Sequence, residues 1–187
     1  MKIKIKKYKK VKSTNDIAIK LIKKNFSCPT LVTTEKQTNG RGRVGKKWIS
    51  NKGNLFISLF FKFDQRKINF KQFAILNAFV LKKIISKTIT RKIKIKWPND
   101  LLFKKKKFAG ILQEVINFDN FDYLIVGIGI NTNIVPENKG FQSTSLKNIL
   151  DKKINNQTIL KNIAIVYEKF LKEKNKLSFS DLKRKYK

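Results

Sequence analysis

Ile93-Lys94-Ile95-Lys96-Trp97-Pro98-Asn99-Asp100 settles what kind of fold this chain can have. Apolar and basic residues alternate up to Lys96, the two-residue period of a strand with one face turned inward. Pro98 fixes its own φ and pushes Trp97 out of the helical region. The strand is therefore forced to turn, and it presents Asn99 and Asp100 at the end of a sheet. Leu101-Leu102-Phe103, the lysine run Lys104 to Lys107, and Phe108 to Val115 read as a hairpin with the lysines at its tip. Another strand runs from Tyr123 to Ile130 and closes on Gly127-Ile128-Gly129-Ile130-Asn131.

Working outward, Lys2 to Lys10 has the weak alternation of an edge strand. Ser13-Thr14-Asn15-Asp16 supplies N-cap chemistry, and Ile17, Ala18, Leu21 and Ile22 follow at helical spacing, so a helix is expected from Thr14 to Asn25. Thr30 to Thr34 is β-branched and strand-like. Asn54 to Phe61 reads as a buried strand. Phe73, Leu76, Asn77, Val80, Leu81 and Ile84 mark a long helix over Phe70–Lys87. Thr132 to Asn148 is expected to be irregular. The tail predicts two helices, Thr158–Leu171 and Ser180–Tyr186. Helices bracket a strand-rich middle, which predicts a single α+β domain over residues 1–187, without repeats or linkers.

Composition narrows the chemistry. The chain has 187 residues and a hydrophobic fraction of 41%, enough for a real core. The single cysteine, Cys28, excludes an internal disulfide, and the absence of histidine excludes imidazole zinc sites and Ser-His or Cys-His nucleophile systems. No apolar run reaches membrane-spanning length and no secretory core is visible, so the cytoplasm is the expected location. The net charge of +32 has two readings, a nucleic-acid footprint or a coding sequence drifting toward A and T. Lysines are spread along the whole chain among Ile, Asn and Phe, which favours drift. Nonspecific, salt-sensitive retention on polyanions follows in either case.

One segment has neither helical nor strand period: Gly40-Arg41-Gly42-Arg43-Val44-Gly45-Lys46-Lys47-Trp48. Glycines permit close backbone approach, freed N–H groups can cradle an anion, and the arginines add forked donors. Taken alone, a solvated basic loop fits equally well. Trp48 is core or a stacking surface. Lys107 beside Phe108-Ala109-Gly110 is a candidate cation for a carboxylate or α-phosphate, where the small residues would let a flat ligand lie against the backbone. Asn99 offers donor and acceptor to an adenine edge, and Asp100 is placed to hold a metal ion or an incoming amine; an Asx-turn would use the same residues. Such a site, rich in cations, poor in acids and lacking histidine, is unsuited to general acid–base work near neutrality. It suits a carboxylate attacking a nucleotide α-phosphate, where catalysis is positioning plus charge stabilisation.

Together these segments resemble the catalytic domain of biotin–protein ligases. The resemblance is carried by Ser13-Thr14-Asn15, Gln37, Gly40 through Trp48, Lys96 through Asp100, Lys107 with Ala109-Gly110-Ile111-Leu112, Gly127 through Asn131, and Ser143-Thr144-Ser145-Leu146. It implies a mixed, mostly antiparallel central sheet flanked by helices, the fold shared by biotin and lipoate ligases and by class II aminoacyl-tRNA synthetases. It implies ATP-dependent formation of biotinyl-5′-AMP, with Mg²⁺ accompanying the ATP, and transfer of biotin to a lysine of the biotin carboxyl carrier protein of acetyl-CoA carboxylase. By position, Ser13, Thr14, Asn15, Gln37, Trp48 and Gly110 would receive biotin. Arg41, Gly42 and Arg43 would close over biotin and the adenylate. Lys107 would contact the biotin carboxyl and the α-phosphate, Asn99 and Asn131 would meet the nucleotide, and Asp100 would orient or deprotonate the acceptor amine. Arg43, Lys107 and Asp100 form the expected catalytic set, and no metal ligands are expected on the protein.

The sequence departs from the family where Lys46 stands for a frequent arginine and Thr38-Asn39 for a Gln-Ala pair. Neither an N-terminal helix-turn-helix domain nor a C-terminal small β-domain is expected, and with them no specific nucleic-acid partner. A monomer or a homodimer is expected. The rival readings are a lipoate or octanoate ligase of the same fold, and a basic nucleic-acid-binding protein.

Overall fold

A computed structural model describes residues 2–87, 93–137 and 141–187. Twelve elements follow one another: β1 (Lys4–Val11), α1 (Thr14–Ile22), β2 (Thr30–Gln37), β3 (Leu55–Lys62), α2 (Phe70–Ser86), β4 (Lys94–Lys96), β5 (Asp100–Phe103), β6 (Lys106–Phe118), β7 (Phe121–Ile130), α3 (Leu146–Leu150), α4 (Asn156–Glu173) and α5 (Phe179–Tyr186). The strands make one seven-stranded sheet in the order β1-β2-β3-β7-β6-β5-β4. Only β1 and β2, joined through α1, run parallel; the other pairs are antiparallel. The sheet is thus mixed and mostly antiparallel, with β1 at an edge, as expected.

Alternation along the central strands assigns the two faces. Leu55, Ile57, Leu59 and Phe61 of β3, with Leu124, Val126, Ile128 and Ile130 of β7, join the large core packed by α2, α4 and α5. Phe60, Tyr123 and Ile125 point the other way, onto Ala18, Leu21 and Ile22 of α1. The α2 residues singled out by their spacing are all buried, and Asn69 and Gln72 close a reciprocal capping box at its start. A polar thread crosses this apolar face. The Tyr167 hydroxyl donates to Asn77 Oδ1 at 3.0 Å, and Asn77 Nδ2 donates to Gln113 Oε1 of β6. Burial pushes the Tyr167 phenol well above its ordinary pKa, so it stays a neutral donor.

Four local readings need correction. Helix α1 stops at Ile22 because tighter backbone bonds follow, Lys24 N–H to Leu21 O and Asn25 N–H to Ile22 O, and Asn25 takes φ 62. The hairpin tip is two residues, Lys104 and Lys105, both at positive φ; Lys106 and Lys107 belong to β6. The stretch from Thr132 to Asn148 is not irregular throughout, since Ser145 caps α3 by accepting from Asn148 N–H at 3.2 Å. Gly140 of that stretch lies outside the described residues. Finally, Ser13 occupies the N-cap of α1 without making a side-chain capping bond.

The last helix is pinned by a small acid-sensitive cluster. Lys185 Nζ lies 2.8 Å from Glu173 Oε1, and the Tyr186 hydroxyl donates to Glu173 Oε2 at 2.9 Å. Burial works against the Glu173 charge, but those two bonds outweigh it and hold the carboxyl below its ordinary value of 4.5. A depressed folded-state pKa means that this stabilisation is complete above the unfolded value and drains as pH falls through the folded one. Hydrogen exchange of the α5 amides is expected to accelerate on acidification below about pH 4.5. Glu173→Gln should flatten that response at a cost of about 1 kcal/mol at neutral pH.

Candidate active site

The cleft lies on the α1 face, at the centre of the sheet, where the strands surrender their side chains. Gly110, Gly127 and Gly129 share this face with Ser58. In register, Gly129 pairs with Gly110 and Gly110 with Asp100, while Gly127 stands between Ser58 and Leu112. The Trp48 indole lies across the first of these rows. A methyl on Gly110 would stand 2.8 Å from Trp48 Cζ3, and one on Gly129 would overlap the ring. Asn15 presses on Gly127 in the same way. Glycine at these three positions is what permits such close approach. The flat group found on Gly110 is the protein's own indole.

The glycine–arginine loop folds back on itself above this floor. Arg41 and Lys47 form an antiparallel bridge, Trp48 N–H donates to Gly40 O at 2.9 Å, and Val44 and Gly45 turn at φ 51 and 69. Its tip meets the Trp-Pro-Asn-Asp turn, where Arg43 Nη1 donates to Asn99 Oδ1 at 3.3 Å. The Asn99 amide donates in turn to Ile111 O at 3.0 Å. Both ends of that amide are therefore engaged within the protein.

Lys107 differs from the three lysines before it. They are exposed, whereas its side chain is 18% accessible. Its backbone is gripped by the segment ahead of α3, with Lys107 N–H donating to Gln142 O and Thr144 N–H to Lys107 O, both at 2.9 Å. Its Nζ stands 2.8 Å from Asp100 Oδ1 and 5.2 Å from the ring centres of both Trp48 and Phe141. A fixed cation at the end of the glycine row is the arrangement that charge stabilisation of a transferring phosphoryl group requires.

Twelve of the residues read from the sequence border this cleft: Ser13, Thr14, Asn15, Gln37, Arg41, Gly42, Arg43, Trp48, Asn99, Asp100, Lys107 and Gly110. Asn131 does not. It sits in an adjoining recess with Lys47, Trp48, Ile49, Lys107, Pro136 and Phe141, its Nδ2 donating to Thr144 O at 3.2 Å and its Oδ1 buried without a partner among the described residues.

The cleft lining is poor in acids, as expected, with Asp100 its one carboxylate beside Arg41, Arg43 and Lys107, but two further acids stand close by. Asp16 and Glu114 lie 3.0 and 2.8 Å from Arg41 Nη2, and Asp100 pairs with Lys107. Three of the chain's 12 acids are thus gathered here. Glu114, Ser58 and Ser50, which do not border the cleft but bond to Arg41, Asn15, Thr14 and Gln37 that do, are not singled out by the sequence reading. Glu114 was legible in principle, because it stands two and four residues beyond Leu112 and Gly110 on a strand. Among the described residues, no group of three His, Cys, Asp or Glu side chains is placed to hold a metal. No described helix is long and apolar enough to cross a membrane.

A seven-stranded mixed sheet carries a glycine-floored cleft, a basic flap and a largely shielded lysine–aspartate pair. The family model described as the biotin/lipoate A/B protein ligase family matches residues 8–131, and the chain belongs to that family. It is 33% identical over 177 residues to the bifunctional ligase/repressor BirA of Bacillus subtilis, covering 91% of this chain and 54% of that protein. It is 31% identical over 128 residues to the biotin–[acetyl-CoA-carboxylase] ligase of Paracoccus denitrificans, covering 67% of this chain and 53% of that one. The chain therefore spans about half the length of these curated relatives. Among solved structures, the biotin protein ligase from Aquifex aeolicus in complex with biotin and ATP superposes with a TM-score of 0.82 at 31% identity, over 98% of this chain and 76% of that one.

Proposed function

We propose that this chain is a biotin–protein ligase that makes biotinyl-5′-AMP from biotin and ATP and passes the biotin to a lysine of a carrier domain. The observation that carries the reading is the meeting of Arg43, Asn99, Asp100 and Lys107 above a floor of glycines. In the first step a carboxylate oxygen of biotin attacks the α-phosphorus, and the bond to the bridging oxygen breaks with release of pyrophosphate. The attacking group is already ionised, so no base is needed. Lys107 and Arg43 hold the two anions together and meet the charge on the α-phosphate oxygens. In the second step the carrier lysine attacks the acyl carbon, AMP leaves, and Asp100 orients the amine or takes its proton.

Ser13, Thr14, Asn15 and Gln37 wall the cleft at the end away from Lys107, and we assign the biotin head to that end. The recess holding Asn131 and Phe141 lies against the other face of Trp48 and Lys107, and we assign the nucleoside there. Asn131 Oδ1, which has no hydrogen-bond partner among the described residues, is a group that a nucleotide can satisfy. Mg²⁺ is read as arriving on the triphosphate. The carrier protein of acetyl-CoA carboxylase is the proposed acceptor; an acidic carrier would be steered toward a chain of charge +32.

The decisive experiment incubates the protein with MgATP, a carrier domain, and biotin, lipoate or octanoate in parallel, and weighs the carrier. Biotin alone is expected to add its acyl mass. Acylation by lipoate or octanoate in place of biotin would overturn the assignment.

A further inference from the structure

We infer that Glu114 is a positioning residue that locks the glycine–arginine loop to the biotin end of the cleft. The inference rests on the ligase reading and deepens it. A single carboxylate oxygen, Glu114 Oε2, accepts from Arg41 Nη2 at 2.8 Å and from Asn15 Nδ2 at 2.5 Å. Asn15 Oδ1 accepts from Ser58 Oγ, which also reaches Thr14 Oγ1 at 2.7 Å. With the Ser58 proton on Asn15 Oδ1, the Thr14 hydroxyl closes the Ser58 link, and the Thr14 backbone N–H donates to Gln37 Oε1 at 2.8 Å. Gln37 Nε2 donates to Ser50 Oγ at 3.0 Å, and Ser50 Oγ donates to Trp48 O at 3.2 Å.

The result is a closed circuit. It leaves the loop at Arg41, passes beneath the cleft through β6, α1, β3 and the end of β2, and returns to the loop at Ser50. Thr14, Asn15 and Gln37, three of the four polar residues assigned to the biotin head, are links in it. Ser58, Thr14 and Asn15 are each 3% accessible or less, so the links between them are shielded from competition by water. Glu114 is where the circuit crosses from the loop to the pocket floor. Asp16 also holds Arg41, but its oxygen reaches nothing else in the circuit. Losing Glu114 therefore removes the shorter of the two ion pairs on Arg41 and releases the Asn15 amide at once. Losing Asp16 removes only the longer ion pair and leaves Glu114 on both Arg41 and Asn15.

The test compares wild type with Glu114→Gln, Glu114→Leu and Asp16→Asn. Steady-state pyrophosphate release with a carrier domain present gives kcat and KM for biotin, and hydrogen exchange is measured over residues 38–50 without ligand. For Glu114→Leu, KM for biotin is expected to rise by at least about 10-fold with kcat within about 3-fold of wild type. Exchange should accelerate in residues 38–50 and not in β3 or β7. Glu114→Gln, which keeps an acceptor for Asn15, should recover part of the loss, and Asp16→Asn should change KM least. Wild-type KM and exchange in Glu114→Leu and Glu114→Gln would overturn the inference. So would a fall in kcat at unchanged KM, or faster exchange throughout the sheet. A wild-type protein that makes no biotinyl-adenylate would instead remove the ligase reading itself.

Discussion

Lys107→Ala is expected to slow adenylate formation by about 10²–10³-fold, the usual loss when a preorganised donor to a developing charge is removed. The geometry supports a large effect. Lys107 Nζ is held between Asp100 at 2.8 Å and two aromatic rings, and its backbone is tied to a neighbouring segment, so its charge is aimed before substrate arrives. The substitution also strips Asp100 of its cation in a site where both side chains are under 20% accessible. A stability loss of about 1–3 kcal/mol accompanies it. The two effects separate in the double variant Lys107→Met with Asp100→Asn, which removes the stranded carboxylate charge. Its melting temperature should recover while its rate stays low. A single-turnover rate near wild type in Lys107→Ala would take Lys107 out of the reacting centre.

Gly129→Ala should cost at least about 50-fold in turnover, by moving a tryptophan it does not chemically resemble. The new methyl would lie 2.6 Å from both Cζ2 and Nε1 of Trp48. The backbone cannot retreat, because β7 is bonded to β3 on one side and β6 on the other. The indole must leave, and with it goes the end of the loop that carries Arg43. The face packed by α2, α4 and α5 does not feel the change, so the cost in stability should stay within the roughly 1–3 kcal/mol of ordinary overpacking. A shift of tryptophan emission with near-native circular dichroism would show the displacement. Wild-type turnover with unchanged emission would mean that the ring does not rest on Gly129 in solution.

Much of this arrangement could be read from the residues. Alternation placed β1 and β4, continuous apolar runs placed β3 and β7, which are buried on both faces, and the spacing of Phe73, Leu76, Val80, Leu81 and Ile84 placed α2. The loop, the proline turn and Lys107 were identified together and do border one cleft. What escaped was tertiary or masked by composition. Glycines at 110, 127 and 129 declare a close approach, but nothing local says that Trp48 and Asn15 are what approaches. Glu114 is one acid on a long strand until Arg41 and Asn15 arrive from other elements. The hairpin tip was drawn too wide because lysine occupies both positive-φ positions, where asparagine or glycine would have signalled a two-residue turn. Helix α3, five residues long, is too short to display a period.

The floor of glycines bears on how the cleft could change its substrate. A surface made of backbone has nothing left to trim, and any residue larger than glycine there evicts the indole or Asn15. Selection and protein engineers alike can remodel only what stands around that surface: Leu112 at its margin, Gln37 and the hydroxyls opposite, and the flap above. Variants that admit a bulkier acid should accumulate at those positions, leaving the three glycines untouched.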